Sequence, residues 1–378
     1  MYFIYACLLL LSCIGFAENS TKWVMIKDPV VDLYRRNVIE LDPPVSYAGC
    51  PLASSKQCKR SCRSHQILFN EVVEVIQEEE SHLQIVCSNI VYGYDATSGN
   101  PSNTFWIEKE HVLFLGENFQ QKVVPLIPSN KTLILVLPWD KYSAGTRFIR
   151  DVKRDTEKMY GIAYIENNLD NITYAAVPKR IAREESSLSA KQKRELFVKL
   201  SYALIADAKE KMGVIPYVLG GSGYISPYKD GDFFEVGGCF DRIGDRYPYV
   251  GYDCSELVFR LCAMSGIEFP YKTTGVMREK LQVITQKEDL QEGDLLWYPG
   301  HVMIVSDRKK NEVIEARGYE SGYGDLHILP LSQCFVEVQT FADLYKAYEE
   351  KKPLTLLNKD QKPMRQLEEF LFLQLPAR

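Results

Sequence analysis

An α+β protein of several parts is predicted, with a β-rich N-terminal half ahead of a unit in which helices precede antiparallel strands. Three observations predict it. Across residues 22–31, 71–77, 83–88 and 105–108, short apolar or alternating runs are divided by polar turns, the period-two pattern of strands. Between 190 and 212, Phe197, Leu200, Leu204 and Ala208 recur on one helical face. A second helical stripe, Leu257, Val258, Leu261, Cys262 and Met264, leads into strand-like runs at 293–297, 300–305 and 312–316. At 378 residues the chain exceeds one ordinary domain, so two or three are expected.

Residues 1–17 read as a secretory signal: a short apolar run, too short for a membrane span, closes on Gly15-Phe16-Ala17. Leu10-Leu11-Ser12-Cys13 offers a lipoprotein box as the alternative, against which the apolar Ile14-Gly15-Phe16 continues past Cys13. An exported protein is therefore expected. Within 18–118, Gln66-Ile67-Leu68-Phe69-Asn70-Glu71-Val72-Val73-Glu74-Val75, then Leu83-Gln84-Ile85 and Trp106-Ile107, resembles a bacterial SH3-like barrel carrying a cysteine-bearing loop. A second strand set, 132–137, 145–148, 160–165 and 172–177, resembles another such barrel over 119–184. Ser189 with Gln192 forms a capping pair for the helix that follows, which Met212-Gly213 stops. Ahead of a C-terminal tail, residues 185–350 are expected to form the next unit. Within it, 222–252 is a long insertion rich in Gly, Tyr and Asp, of the kind that is functional or mobile. The tail, 351–378, reads as a polar link and a short amphipathic helix around 367–373.

The stretch Gly251-Tyr252-Asp253-Cys254-Ser255-Glu256-Leu257-Val258 puts a thiol in the first turn of a helix. Unpaired N–H groups and the positive end of the helix dipole there stabilise a thiolate. His301 opens one downstream strand and Glu315 lies on the next. Cysteine on a helix, then histidine and an acid on adjacent strands, is the order of a papain-like Cys-His-acid site. A buried cysteine is usually inert, and a strand-end histidine or a strand Glu has ordinary structural readings too. The ordered set of three outweighs them.

Pro216-Tyr217-Val218-Leu219-Gly220-Gly221, Tyr252-Asp253-Cys254-Ser255, Gly293-Asp294-Leu295, Gly300-His301-Val302 and Val313-Ile314-Glu315-Ala316 together resemble the NlpC/p60 cell-wall cysteine peptidases over about residues 213–335. The resemblance implies a papain-like fold and hydrolysis of the peptidoglycan stem, most often between D-glutamate and diaminopimelate. It implies Cys254 as nucleophile, His301 as base and Glu315 as the orienting third member. It also implies Tyr217 as an active-site hydroxyl, and Asp253 and Ser255 as contacts to the D-glutamyl portion, although Asp253 has the alternative of capping the helix. Relatives with two SH3-like domains hold a free amino terminus with an Asp in Pro-Arg-Asp-Ser. Here the run is Pro270-Tyr271-Lys272-Thr273, so an acid has become a base. Either Lys272 points away from the site, or it faces the site beside Thr273 and no free amine is demanded. Tyr92 or Tyr94 could replace a tyrosine that those relatives draw from their first barrel.

Composition bounds the rest. With 45 Lys and Arg against 50 Asp and Glu, the chain is mildly acidic and carries no nucleic-acid footprint. No transmembrane segment, cofactor or metal is expected, and the chain is expected to act as a monomer on peptidoglycan or muropeptides. Cys50, Cys58 and Cys62 cluster in one loop and suggest a stapling bridge; zinc held there with His65 is disfavoured by the irregular spacing. How these three, Cys87, Cys239, Cys262 and Cys334 pair is left open by sequence. Setting Cys254 aside leaves an odd number of them, so one further thiol is free or intermolecular.

Overall fold

The computed structural model describes residues 22–35, 63–94, 101–116, 132–166, 169, 171–184, 188–211, 213–225 and 250–377. The signal segment, Cys13, Cys50, Cys58, Cys62, Cys239 and most of the 222–252 insertion lie outside the described residues. The described chain is mixed α/β with several antiparallel sheets.

The first sheet is built from β1 (Lys22–Ile26), β2 (Val30–Tyr34), β3 (Arg63–Leu68), β4 (Val72–Glu78), β5 (His82–Val86), β8 (Thr104–Glu108) and β9 (Val112–Leu115). Its order is β3-β2-β8-β5-β4-β1-β9, and a ribbon of β6 (Gly93–Tyr94) and β7 (Pro101–Ser102) projects from it. Alternation decides which face is covered: in β4, Val73 and Val75 are buried while Val72 and Ile76 stay exposed. The second sheet, ordered β13-β12-β11-β10-β14, comprises β10 (Thr132–Leu135), β11 (Arg147–Arg150), β12 (Met159–Ile165), β13 (Ile172–Pro178) and β14 (Ala182–Glu184). Phe69, Tyr142, Phe148 and Tyr164 fill its core with tilted and edge-on rings.

Helix α1 (Ala190–Lys211) starts at the expected reciprocal cap, with Ser189 N donating to Gln192 Oε1 (2.9 Å) and Gln192 N to Ser189 Oγ (3.3 Å). Phe197, Leu200, Leu204 and Ala208 are its buried face, and it ends at Gly213 with φ 89°. Helices α2 (Cys254–Ser265) and α3 (Thr274–Lys280) follow. They lead to a third sheet of β15 (Leu295–Tyr298), β16 (His301–Asp307), β17 (Glu312–Arg317) and β18 (Asp325–Pro330). After α4 (Leu331–Cys334) and α5 (Phe341–Glu349), the chain adds β19 (Leu354–Leu357), β20 (Pro363–Leu367) and β21 (Leu371–Leu373).

The tail departs from expectation. In place of a helix around 367–373 the chain is extended, and β21 pairs antiparallel with β15 (Leu295↔Leu373, Trp297↔Leu371). The third sheet thus runs β18-β17-β16-β15-β21. The physical reason is burial on both faces. Leu371 and Leu373 pack with α1 and α2, whereas Phe370 and Phe372 pack with the layer of α4, α5, β19 and β20. A short run apolar at every position carries no period that separates strand from helix. Arg194 of α1 fastens the tail, donating to the carbonyls of Leu375 (2.9 Å) and Ala377 (3.1 Å) and to Asp294 Oδ1 (2.8 Å).

One continuous core joins the first sheet to α1, α2 and one face of the third sheet. Arg260 of α2 bridges the same boundary. It donates to the Ser222 carbonyl (3.1 Å), the Gln66 carbonyl (3.3 Å) and Glu71 (3.1 Å) while almost wholly buried. The N-terminal sheet therefore seats directly on the helix that begins at Cys254.

Candidate functional site around Cys254

Two close backbone approaches place α2. A Cβ on Gly251 would meet the Pro216 carbonyl at 2.2 Å, and one on Gly221 would meet the Gly251 carbonyl at 2.6 Å. Only glycine lets the 216–221 turn pack against the entry to the helix. Asp253 is the N-cap: its Oδ1 accepts from Glu256 N (2.7 Å) and Ser255 Oγ (3.0 Å), and its Oδ2 accepts from Gly220 N (2.9 Å). Asp253, with Ser255 donating to it, thus fixes the helix start and the glycine turn. Tyr217, half-buried on that turn, bridges Tyr252 and donates its backbone N–H to the Gly324 carbonyl (2.8 Å). Burial, with Cys254 and the Asp253 carboxylate nearby, pushes its hydroxyl ionisation far up, so it stays a neutral donor.

The Cys254 thiol is buried and accepts the backbone N–H groups of Val302 and Ser255. It therefore lies against the strand that His301 opens. Burial raises its ionisation, as do the carboxylates of Asp253 and Glu315, and the two N–H groups offset this only in part. The stabilised thiolate expected at a helix start is thus not the resting form. Desolvation and two nearby acids outweigh the dipole, and the group rests as a thiol.

His301 Nε2 lies 2.7 Å from Glu315 Oε2, which leaves Nδ1 as its second ring nitrogen. Its ring stacks on Tyr298 (centroids 5.1 Å apart), its register partner across the β15–β16 turn. Burial lowers the ionisation of His301 below the usual 6.5, against the opposing pull of Glu315, so the ring is neutral at neutral pH. Glu315 is 0 % exposed, contrary to the solvated face open to a strand glutamate. Burial would raise its carboxyl, but Arg317 and hydrogen bonds from His301 and His327 hold it well below the carboxylate range. Arg317 Nε donates to Glu315 Oε2 (2.9 Å), and its Nη2 lies 2.6 Å from Oε1.

Sequence reasoning passed over Arg317 and His327. The first lies two residues beyond Glu315 on the same strand face. His327 sits opposite Glu315 in the β17–β18 register. The signal was the hairpin itself: centring its turn on 318–324 aligns 315 with 327.

Lys272 is 2 % exposed and ion-paired with Glu256 of α2, so it is not placed on the surface. Glu256 also lies 2.7 Å from His65 Nδ1, so His65 is a buried partner of the helix. Burial lowers the Lys272 ionisation to about 8, against the raising influence of Asp253 and Cys254. The 270–273 segment is laced to the first sheet: Val91 N donates to the Pro270 carbonyl (2.7 Å) and Lys272 N to the Val91 carbonyl (3.0 Å). Thr273 caps α3 through Val276 N (3.3 Å), and its hydroxyl donates to the Tyr92 carbonyl (3.2 Å). Of the two tyrosines singled out, Tyr92 is the one beside this segment, 6.0 Å from the Lys272 ammonium.

Cys87, Cys254, Cys262 and Cys334 are free thiols and buried. Among the described residues a metal-compatible grouping occurs at Glu108, Glu110 and His111, where His111 Nδ1 is already 2.7 Å from Asp28. Among the same residues no helix is long and apolar enough to cross a membrane.

No protein-family model matches the chain, and no curated protein does. Among solved structures, an NlpC/P60 family protein from Bacillus cereus ATCC 10987 aligns with a TM-score of 0.53 at 14% identity, over 82% of this chain and 94% of that one. NlpC2 from Trichomonas vaginalis aligns at 13% identity over 83% and 95% of the two chains, with a TM-score of 0.32. NlpC1 of the same organism aligns at 13% over 84% and 91%, with a TM-score of 0.30. The first likeness is one of fold, and it extends along most of both chains.

Proposed function

We propose that this chain is a papain-like cysteine hydrolase of the NlpC/P60 type that cuts peptidoglycan stems, with Cys254 as nucleophile, His301 as base and Glu315 as the group that orients the imidazole. One observation carries the reading: the Cys254 thiol lies against the Val302 amide, on the strand opened by His301, and Nε2 of that histidine is held by a buried carboxylate. The neutral ring gives its Nε2–H to Glu315, so Nδ1 bears the lone pair that takes the thiol proton. The new thiolate attacks the amide carbon, and backbone N–H groups at the start of α2, including that of Cys254, receive the oxyanion. Collapse expels the amine, which leaves with the proton from Nδ1. Water gives a proton to Nδ1 and attacks the thioester, and the thiol is restored as the acid departs.

The bond we assign is the one between γ-D-glutamate and diaminopimelate. Tyr217, Asp253 and Ser255 would line the D-glutamyl side, and the two N-terminal sheets would serve as SH3-like modules that set the stem against the cleft. The N-terminal segment would direct export. A buried cation at Lys272 gives a free substrate ammonium no carboxylate of its own to meet, since Glu256 is already paired with Lys272 and His65. Intact stems still linked to the sugar would then be accepted.

Mass spectrometry of products from a disaccharide-tetrapeptide and from the free tetrapeptide tests this. Both should yield the diaminopimelyl-D-alanine fragment at rates within about tenfold of one another, a difference of roughly 1.4 kcal/mol. Free disaccharide with an intact tetrapeptide would instead identify an amidase acting on the sugar–L-alanine bond. Absence of any product from either substrate would reduce the chain to a non-catalytic wall-binding protein.

A further inference from the structure

His327 takes no part in the hydrolytic step proposed above, yet it is built into the support of the site. Its Nε2 lies 3.3 Å from Glu315 Oε1 and its Nδ1 lies 2.7 Å from Asp325 Oδ1. Tyr323 stacks on the ring at 4.3 Å. The charged groups around it are Glu315 and Arg317 on β17, Asp325 on its own strand and Lys209 of α1, which lines the same cavity of about 130 Å³ as His327 and Asp325. Arg317 is committed to Glu315 and to the Leu357 carbonyl (3.0 Å). A ring between two carboxylates satisfies both only as the imidazolium, because a neutral ring has one N–H and turns a lone pair toward the second acid.

We infer that His327, as an imidazolium bridging Asp325 and Glu315, is a positioning residue for His301: it holds the Oε1 side of the carboxylate whose Oε2 receives the His301 N–H. The inference rests on the reading of His301 as the base. Burial disfavours the charge on His327, but hydrogen bonds to Asp325 and Glu315 outweigh it and raise its ionisation above the usual 6.5. His301 titrates below that value. As pH rises, His301 therefore loses its proton first and becomes a base. His327 loses its proton later, and Glu315 Oε1 then keeps Arg317 as its one remaining charged partner there. Activity should be confined between the two ionisations, with His327 setting the alkaline limb.

Two measurements on the full-length protein test this. In pH profiles of stem hydrolysis, His327→Gln should lose the alkaline limb, because an amide keeps a donor toward Glu315 but does not titrate. His327→Leu should lower kcat about tenfold with KM unchanged, and Asp325→Asn should move the alkaline limb to lower pH. Ring-nitrogen spectra of the substrate-free wild type should show His327 titrating above His301, and the His301 titration should shift in His327→Gln. If His327→Gln and wild type share one pH profile, and the His301 titration is unmoved, the inference is overturned. Should His327→Gln fail to fold, Asp325→Asn and the wild-type titrations decide. The spectra need no turnover, so absence of hydrolysis by the wild type would sink the proposed function, while the spectra alone would still uphold or refute the coupling.

Discussion

Cys254→Ala is expected to abolish hydrolysis, with a loss of at least about a hundredfold and no change in fold. The cap that starts α2 belongs to Asp253, whose three hydrogen bonds come from Gly220, Ser255 and Glu256 and do not involve the thiol. Residual activity above about one per cent would show that another group attacks the amide. The same residue makes a pH prediction. Because burial and the neighbouring carboxylates raise its ionisation, the thiol remains protonated at neutral pH. Alkylation of Cys254 by iodoacetamide should therefore quicken steadily as pH rises into the alkaline range. A rate already flat across neutral pH would mean a preformed thiolate–imidazolium pair.

Arg317→Met should cost about 3–5 kcal/mol of folding stability, since it leaves the Glu315 carboxylate buried with its main cationic partner gone. The methylene stem is replaced, so lost packing contributes little. The sign with pH follows from Glu315. Its folded ionisation is depressed well below the ordinary 4.5, so its contribution is present above that value and is lost as pH falls through the folded one. In the variant the depression shrinks. The stability deficit should be greatest at neutral pH and diminish in acid, where the uncompensated carboxyl takes up a proton. Urea unfolding at several pH values measures this. A deficit below about 1 kcal/mol at neutral pH would mean that His301 and His327 alone suffice to hold Glu315.

Legibility in the sequence followed the range of the interaction that decided each feature. Helix α2, its Asp253 cap and the Ser189–Gln192 cap of α1 are local, set within a few residues by periodicity and side-chain chemistry, and they were readable. So was the order of Cys254, His301 and Glu315 along helix and strands. The partners of these groups were not. His65 meets Glu256 across 191 positions of chain, and Arg194 meets the carbonyl of Ala377 across 183. No local pattern marks either pairing. Lys272 was open for the same reason: a charge in a loop reads as solvated until a buried acid on another element is known to face it. The C-terminal strand failed differently, because Phe370, Phe372 and Leu373 are buried and Leu371 is partly so, on both faces, which leaves no alternation to read.

The most direct measurement is the mass of the protein itself during turnover. Full-length protein acid-quenched while cutting a disaccharide-tetrapeptide should carry a thioester of the disaccharide–L-alanyl–γ-D-glutamyl fragment, and peptide mapping should place it on Cys254. His301→Ala should not accumulate it, because the thiol then lacks its base. Products that build up with no adduct on Cys254, or an adduct mapped to Cys87, Cys262 or Cys334, would contradict the account.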